Sequence, residues 1–84
     1  MQRRRRRVRR SQRFSDLATY IAETGETQAA IAARVGTSQA HLSRIAHGEA
    51  IPRSLLAVRI ALYCQIPLDS FTRVYLAKHA ARVA

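Results

Sequence analysis

Between residues 27 and 48 the chain reads Thr27-Gln28-Ala29-Ala30-Ile31-Ala32-Ala33-Arg34-Val35-Gly36-Thr37-Ser38-Gln39-Ala40-His41-Leu42-Ser43-Arg44-Ile45-Ala46-His47-Gly48. Thr27 suits the N-cap of a helix from Gln28 to Val35, because its hydroxyl accepts a backbone N–H that the first turn leaves unpaired. The alanines favour helix and let a neighbour approach closely. Ile31, Ala32 and Val35 recur on one face, and Gly36 stops the segment. Ser38 then caps a second helix, Gln39 to Ala46, with Leu42 and Ile45 turned inward and Gly48 at its end.

Only Gly36, Thr37 and Ser38 join the two helices. So short a connection forces them to cross steeply, the geometry of a helix-turn-helix. Gly36 is expected to supply the positive φ of the turn, and Ile31, Val35, Leu42 and Ile45 to lock the angle by packing. The outer face of the second helix then carries Gln39, Ala40, His41, Ser43 and Arg44. Gln can bond adenine in bidentate fashion, Arg can bond guanine and Ala can touch a thymine methyl. Singly, each reads better as an ordinary solvated residue; together they point to base edges of duplex DNA. A charge on His41 would make such binding sensitive to pH.

On the N-terminal side, Ser15 is a candidate N-cap with Asp16 in the first turn. Leu17, Tyr20 and Ile21 share a helical face, and Gly25 ends that helix. On the C-terminal side, Pro52 precedes a helix from about Arg53 to Cys64. Pro67 and Asp69 announce another, from about Leu68 or Asp69 to Arg82. No segment alternates with period two and none repeats, so the expectation is an all-α domain of five short helices.

Charge is distributed unevenly. The 84 residues carry a formal net charge of +10. Residues 1–13 hold Arg3, Arg4, Arg5, Arg6, Arg7, Arg9, Arg10 and Arg13 and no acid, which leaves +2 for the remainder. With Val8 as its one aliphatic residue, this stretch cannot offset its chain entropy by burial, and it reads as a flexible arginine-rich arm. Fully extended it would reach about 45 Å. The folded domain is expected over residues 14–84.

The length allows one small domain and leaves no room for a sensor domain. The positive charge calls for a polyanionic partner. No apolar run is long enough for a membrane span. The segment after the basic start is no signal-peptide core, so a cytoplasmic, nucleoid-associated protein of a bacterial or phage-infected cell is expected. Cys64 is the one cysteine, which excludes an internal disulfide, and its inward position reads as a small buried residue. His41, His47 and His79 have no metal-site spacing with it, so no metal or other cofactor is expected. Neither a nucleophile–base set nor a Gly-rich phosphate loop stands out, which argues against an enzyme.

The stretch from Thr27 to Ala32, then Gly36-Thr37-Ser38-Gln39, then Leu42-Ser43-Arg44-Ile45 and Gly48, resembles the Cro and lambda-repressor (XRE-like) type of helix-turn-helix. Pro52, Ile60-Ala61, Ile66 and Leu68-Asp69 are similar to that family's fourth and fifth helices, so the resemblance runs from about Leu17 to Phe71. It implies a five-helix domain that binds duplex DNA, commonly as a dimer on a near-palindrome. By position, Gln39, Ala40 and Arg44 match base-reading residues, with His41 beside them. Thr27, Gln28, Ser38, Ser43 and Arg53 match positions near phosphates, and Gln28 would pair with Gln39. The chain departs from the pattern at Ile21 and Ala46, where many members have an Arg–Glu pair, and an apolar pair there need not weaken the fold. His47 and Glu49 stand where Asn and a base are common, and Glu49 is expected to repel phosphate. Gln65 replaces the usual glycine before the fifth helix, so a different turn is expected there.

The fourth helix has more apolar surface than one core needs. Ala57, Ile60, Ala61 and Cys64 account for its inner face. Leu55, Val58 and Leu62 form a second stripe, to which the fifth helix adds Phe71, Val74, Tyr75 and Leu76, with Phe71 and Tyr75 expected at the interface. This surface is expected to join two copies about 34 Å apart at their recognition helices, one turn of DNA, unless the fifth helix folds over it. Two functions remain. One is a sequence-specific DNA-binding regulator, most simply a repressor covering a promoter. The other is an antitoxin-like or arginine-rich RNA-binding regulator, with a protein partner or the arm carrying the activity. Three roles are open to the arm: tracking DNA phosphates or the minor groove, folding on RNA, or acting as a nonspecific counterion.

Overall fold

A computed structural model describes residues 13–83, so the expected arm lies outside the described residues except for Arg13. Five helices follow one another: α1 Leu17–Thr24, α2 Gln28–Val35, α3 Gln39–Ala46, α4 Ser54–Cys64 and α5 Ser70–Val83. No strand occurs among the described residues, and the fold is all-α.

Polar caps set the starts. Thr27 Oγ1 accepts from the Ala30 amide at 3.1 Å, and Ser38 Oγ from the His41 amide at 3.1 Å, as expected for α2 and α3. At α1 the expectation was off by one residue. Asp16, not Ser15, is the cap, its Oδ1 accepting from the Thr19 amide at 2.8 Å. A carboxylate there both satisfies the orphan amide and faces the positive end of the helix dipole. Ser15 instead donates from its hydroxyl to Thr19 Oγ1 at 3.1 Å. α4 starts one residue later than expected, with Arg53 in the cap position and no side-chain capping bond. α5 likewise starts at Ser70, whose amide donates to the Pro67 carbonyl at 3.0 Å.

Gly36 takes the left-handed conformation at φ +84 between α2 and α3, which side chains with a Cβ adopt only at a cost. Gly48 has φ +75 and is buried under α5. A Cβ there would stand 3.1 Å from Val74 Cγ1 and 3.2 Å from the Val74 carbonyl oxygen, so another residue would be strained in conformation and tightly packed against Val74. Before α5, Gln65 adopts the left-handed conformation itself, at φ 57. The backbone strain of this turn is therefore carried by a residue with a side chain.

The core joins Leu17 and Tyr20 of α1, Ile31, Ala32 and Val35 of α2, Leu42 and Ile45 of α3, and Ala57, Ile60, Ala61 and Cys64 of α4. Ile66 and Phe71 close it from the α4–α5 side. Ile21 and Ala46 pack against this cluster as partly buried apolar residues. Cys64 is fully buried, and burial pushes its thiol pKa up to about 12. The Phe14 amide donates to the Gln65 carbonyl at 2.9 Å, and its ring meets Tyr20 edge-on at 5.1 Å. Phe71 is 5% exposed and belongs to this core, which corrects its placement on an intermolecular face. Leu55, Val58 and Leu62 remain exposed and Tyr75 is half-buried. Among the described residues no helix is long and apolar enough to cross a membrane.

Candidate nucleic-acid interface

α3 is split sharply between two faces. Leu42 and Ile45 are 0% and 3% exposed and clamp it to the core, whereas Gln39, Ala40 and Arg44 lie exposed. His41 and Ser43 are half-buried at the border. Because α3 is only eight residues long, propensity alone would not hold it, and its rigidity comes from those two anchors. The exposed side chains therefore project from a fixed rod.

The starts of α2 and α3 offer a second kind of donor. Neither first turn holds an acidic residue, so the positive dipole ends are uncompensated and suit an anion. Thr27 and Ser38 use lone pairs for capping, and each hydroxyl keeps its O–H to donate. Thr27 is exposed beside half-buried Gln28, and Ser38 is exposed beside Gln39. No hydrogen bond joins Gln28 to Gln39 among the described residues, so the pairing expected from the family resemblance is not formed. Arg53 is exposed at the start of α4. Ser43 Oγ lies 3.5 Å from His47 Nδ1, which also contacts the Ser43 carbonyl at 2.8 Å.

Two polar clusters brace this surface, and neither showed in the sequence. In the first, the Tyr20 and Tyr63 hydroxyls donate to Glu26 Oε1 and Oε2, each at 2.6 Å. Glu26 precedes the α2 cap, so this clasp ties the start of α2 to α1 and α4. The two hydroxyl donors, Tyr20 first, hold the Glu26 carboxyl below its ordinary value of 4.5. Burial, then the bond to Glu26, raises the Tyr20 pKa. A depressed folded-state value means that the clasp contributes its full stability above pH 4.5, and that this is lost as pH falls through the folded value. Thermal melts across that acid range should therefore fall less steeply for Glu26→Gln than for the wild type. Parallel curves would contradict the ionised clasp.

The second cluster holds the end of α3. Lys78 Nζ on α5 donates to Glu49 Oε2 at 3.0 Å and to the His47 carbonyl at 3.2 Å. His79 Nε2 reaches the Gly48 carbonyl at 3.2 Å while its ring stacks on Tyr75, centroids 4.2 Å apart. Glu49, expected as a free negative charge, is thus paired. The nearest sequence clue would have been opposite charges 29 residues apart, which no local pattern distinguishes from chance.

The rigid α3 with its outward polar face, set across a three-residue turn from α2, defines a helix-turn-helix DNA-binding domain. A helix-turn-helix family model matches residues 23–71, more than half of the chain. The chain belongs to the Cro and lambda-repressor type of helix-turn-helix proteins, a family of DNA-binding transcription regulators. Neither a curated protein nor a solved structure gives a significant match.

Proposed function

We propose that this protein is a sequence-specific repressor that covers a promoter by placing α3 in the major groove of duplex DNA. The observation that carries the reading is the division of α3, with Gln39, Ala40 and Arg44 exposed while Leu42 and Ile45 fix the helix to the core. In it Arg44 reads guanine and Gln39 reads adenine, with Ala40 and His41 alongside. Thr27, Gln28, Ser38, Ser43 and Arg53 fix the register on phosphates. Two copies meet through Leu55, Val58, Leu62 and Tyr75 and set half-sites one helical turn apart on a near-palindromic operator. Residues 1–13 form an arm that follows the adjacent phosphates.

Selection of bound sites from random duplex DNA, with single-stranded RNA as competitor, tests this. The expected product is a motif with two related halves about 34 Å apart centre to centre. In the same selection Arg44→Ala should cost about 1–3 kcal/mol at one base position per half-site and leave the other positions unchanged. RNA that displaces every duplex, with binding lost on removal of the arm and unaffected by Arg44→Ala, would instead establish an RNA-binding regulator.

A further inference from the structure

The pairing of Glu49 has a consequence for base reading. The Glu49 amide donates to the Arg44 carbonyl at 2.8 Å, which tethers an acidic side chain directly to the end of α3. Lys78 stands over it from α5, bonded both to the carboxylate and to the His47 carbonyl. The position of Lys78 is not left to chance. Val74, one turn earlier, packs against buried Gly48, and His79 bonds the Gly48 carbonyl.

We propose that Lys78 is a positioning residue for base reading, holding the Glu49 carboxylate so that the Arg44 guanidinium stays free for a base edge and no bare charge faces the phosphates. This rests on the function proposed above. Lys78 does most to keep Glu49 ionised, with smaller contributions from His47 and then Arg44. Without Lys78, the positive groups left near the carboxylate are His47 and Arg44, and the backbone bond to Arg44 keeps Glu49 beside it, where an Arg–carboxylate pair would compete with a base edge. It would also repel DNA across a short distance where salt screens little. For the fold itself the pair matters little, because both partners are about half exposed and such pairs are worth about 0–1 kcal/mol.

The test is a double-mutant cycle of Lys78→Met and Glu49→Gln, read by affinity for the selected duplex at about 0.15 M salt and by base preference. Methionine keeps the aliphatic stem, and thermal melting verifies folding of each variant. Lys78→Met should weaken binding roughly 5- to 10-fold, as expected for one uncompensated charge near a phosphate. It should also relax preference at the base read by Arg44. Adding Glu49→Gln should restore both affinity and preference. A Lys78→Met protein with wild-type affinity and preference overturns the proposal. So does a loss that Glu49→Gln fails to rescue, which would mean that Lys78 contacts DNA itself or only braces the helix end. A wild-type protein that selects no duplex site overturns the function proposed above, and this proposal with it.

Discussion

Raising salt from about 50 to 200 mM is expected to weaken duplex binding by about 10³- to 10⁵-fold, the response of a protein that neutralises six to ten phosphates. The charge that would do this is concentrated. Eight of the fifteen basic residues fall in residues 1–13, against seven basic and five acidic residues in the remainder. Each phosphate neutralised releases condensed counterions, and that release becomes less favourable as bulk salt rises. Deletion of residues 1–10 should therefore flatten the dependence of affinity on salt. The same deletion should leave the selected sequence unchanged, because phosphate contacts position and base contacts specify. It stops short of Phe14, whose amide bonds the Gln65 carbonyl, so the folded body keeps its N-terminal anchor. An unchanged slope would show that the arm does not touch the duplex.

Leu42→Ala is expected to cost about 2–5 kcal/mol, a large share of the stability of so small a domain. Leu42 is 0% exposed and sits on the inner face of α3 between Gln39 and Arg44. Its removal leaves a cavity where α3 meets α2, and with it the constraint on the angle at which the outer side chains are presented. Urea unfolding should show a lower midpoint with an unchanged slope, and site-specific affinity should fall although Leu42 contacts no nucleic acid. Arg44→Ala makes the complementary case: its exposed side chain leaves unfolding nearly untouched while binding suffers. A Leu42→Ala midpoint within experimental error of the wild type would mean that α3 is not held by the core in the way described.

The contrast between these two residues reflects what a linear sequence can convey. Helix periodicity, capping residues and glycines are local signals, and they located α2 and α3 to the residue, with Leu42 and Ile45 inside. Boundaries blurred where two capping residues stood side by side, as at Ser15 and Asp16, and the backbone angle decided between them. Phe71 illustrates a different limit. An aromatic at the start of a C-terminal helix looks the same whether it covers its own core or a partner's, and only the path of the chain through Gln65 and Pro67 turns it inward. The Glu26 clasp and the Lys78–Glu49 pair join residues 37 and 29 positions apart. Such contacts exist only after α4 and α5 have packed, so no pattern in the chain announces them. They also change the setting of Glu49, which reads in the chain as a lone charge and in the fold is paired with Lys78.

The most direct test of the account is to follow backbone amide resonances while the selected duplex is added. The outer face of α3, with the starts of α2 and α4, should respond most, at Gln39, Ala40, Arg44, Gln28 and Arg53. Perturbations confined to α5 or to the N-terminal arginines, with α3 unmoved in the presence of saturating DNA, would contradict it.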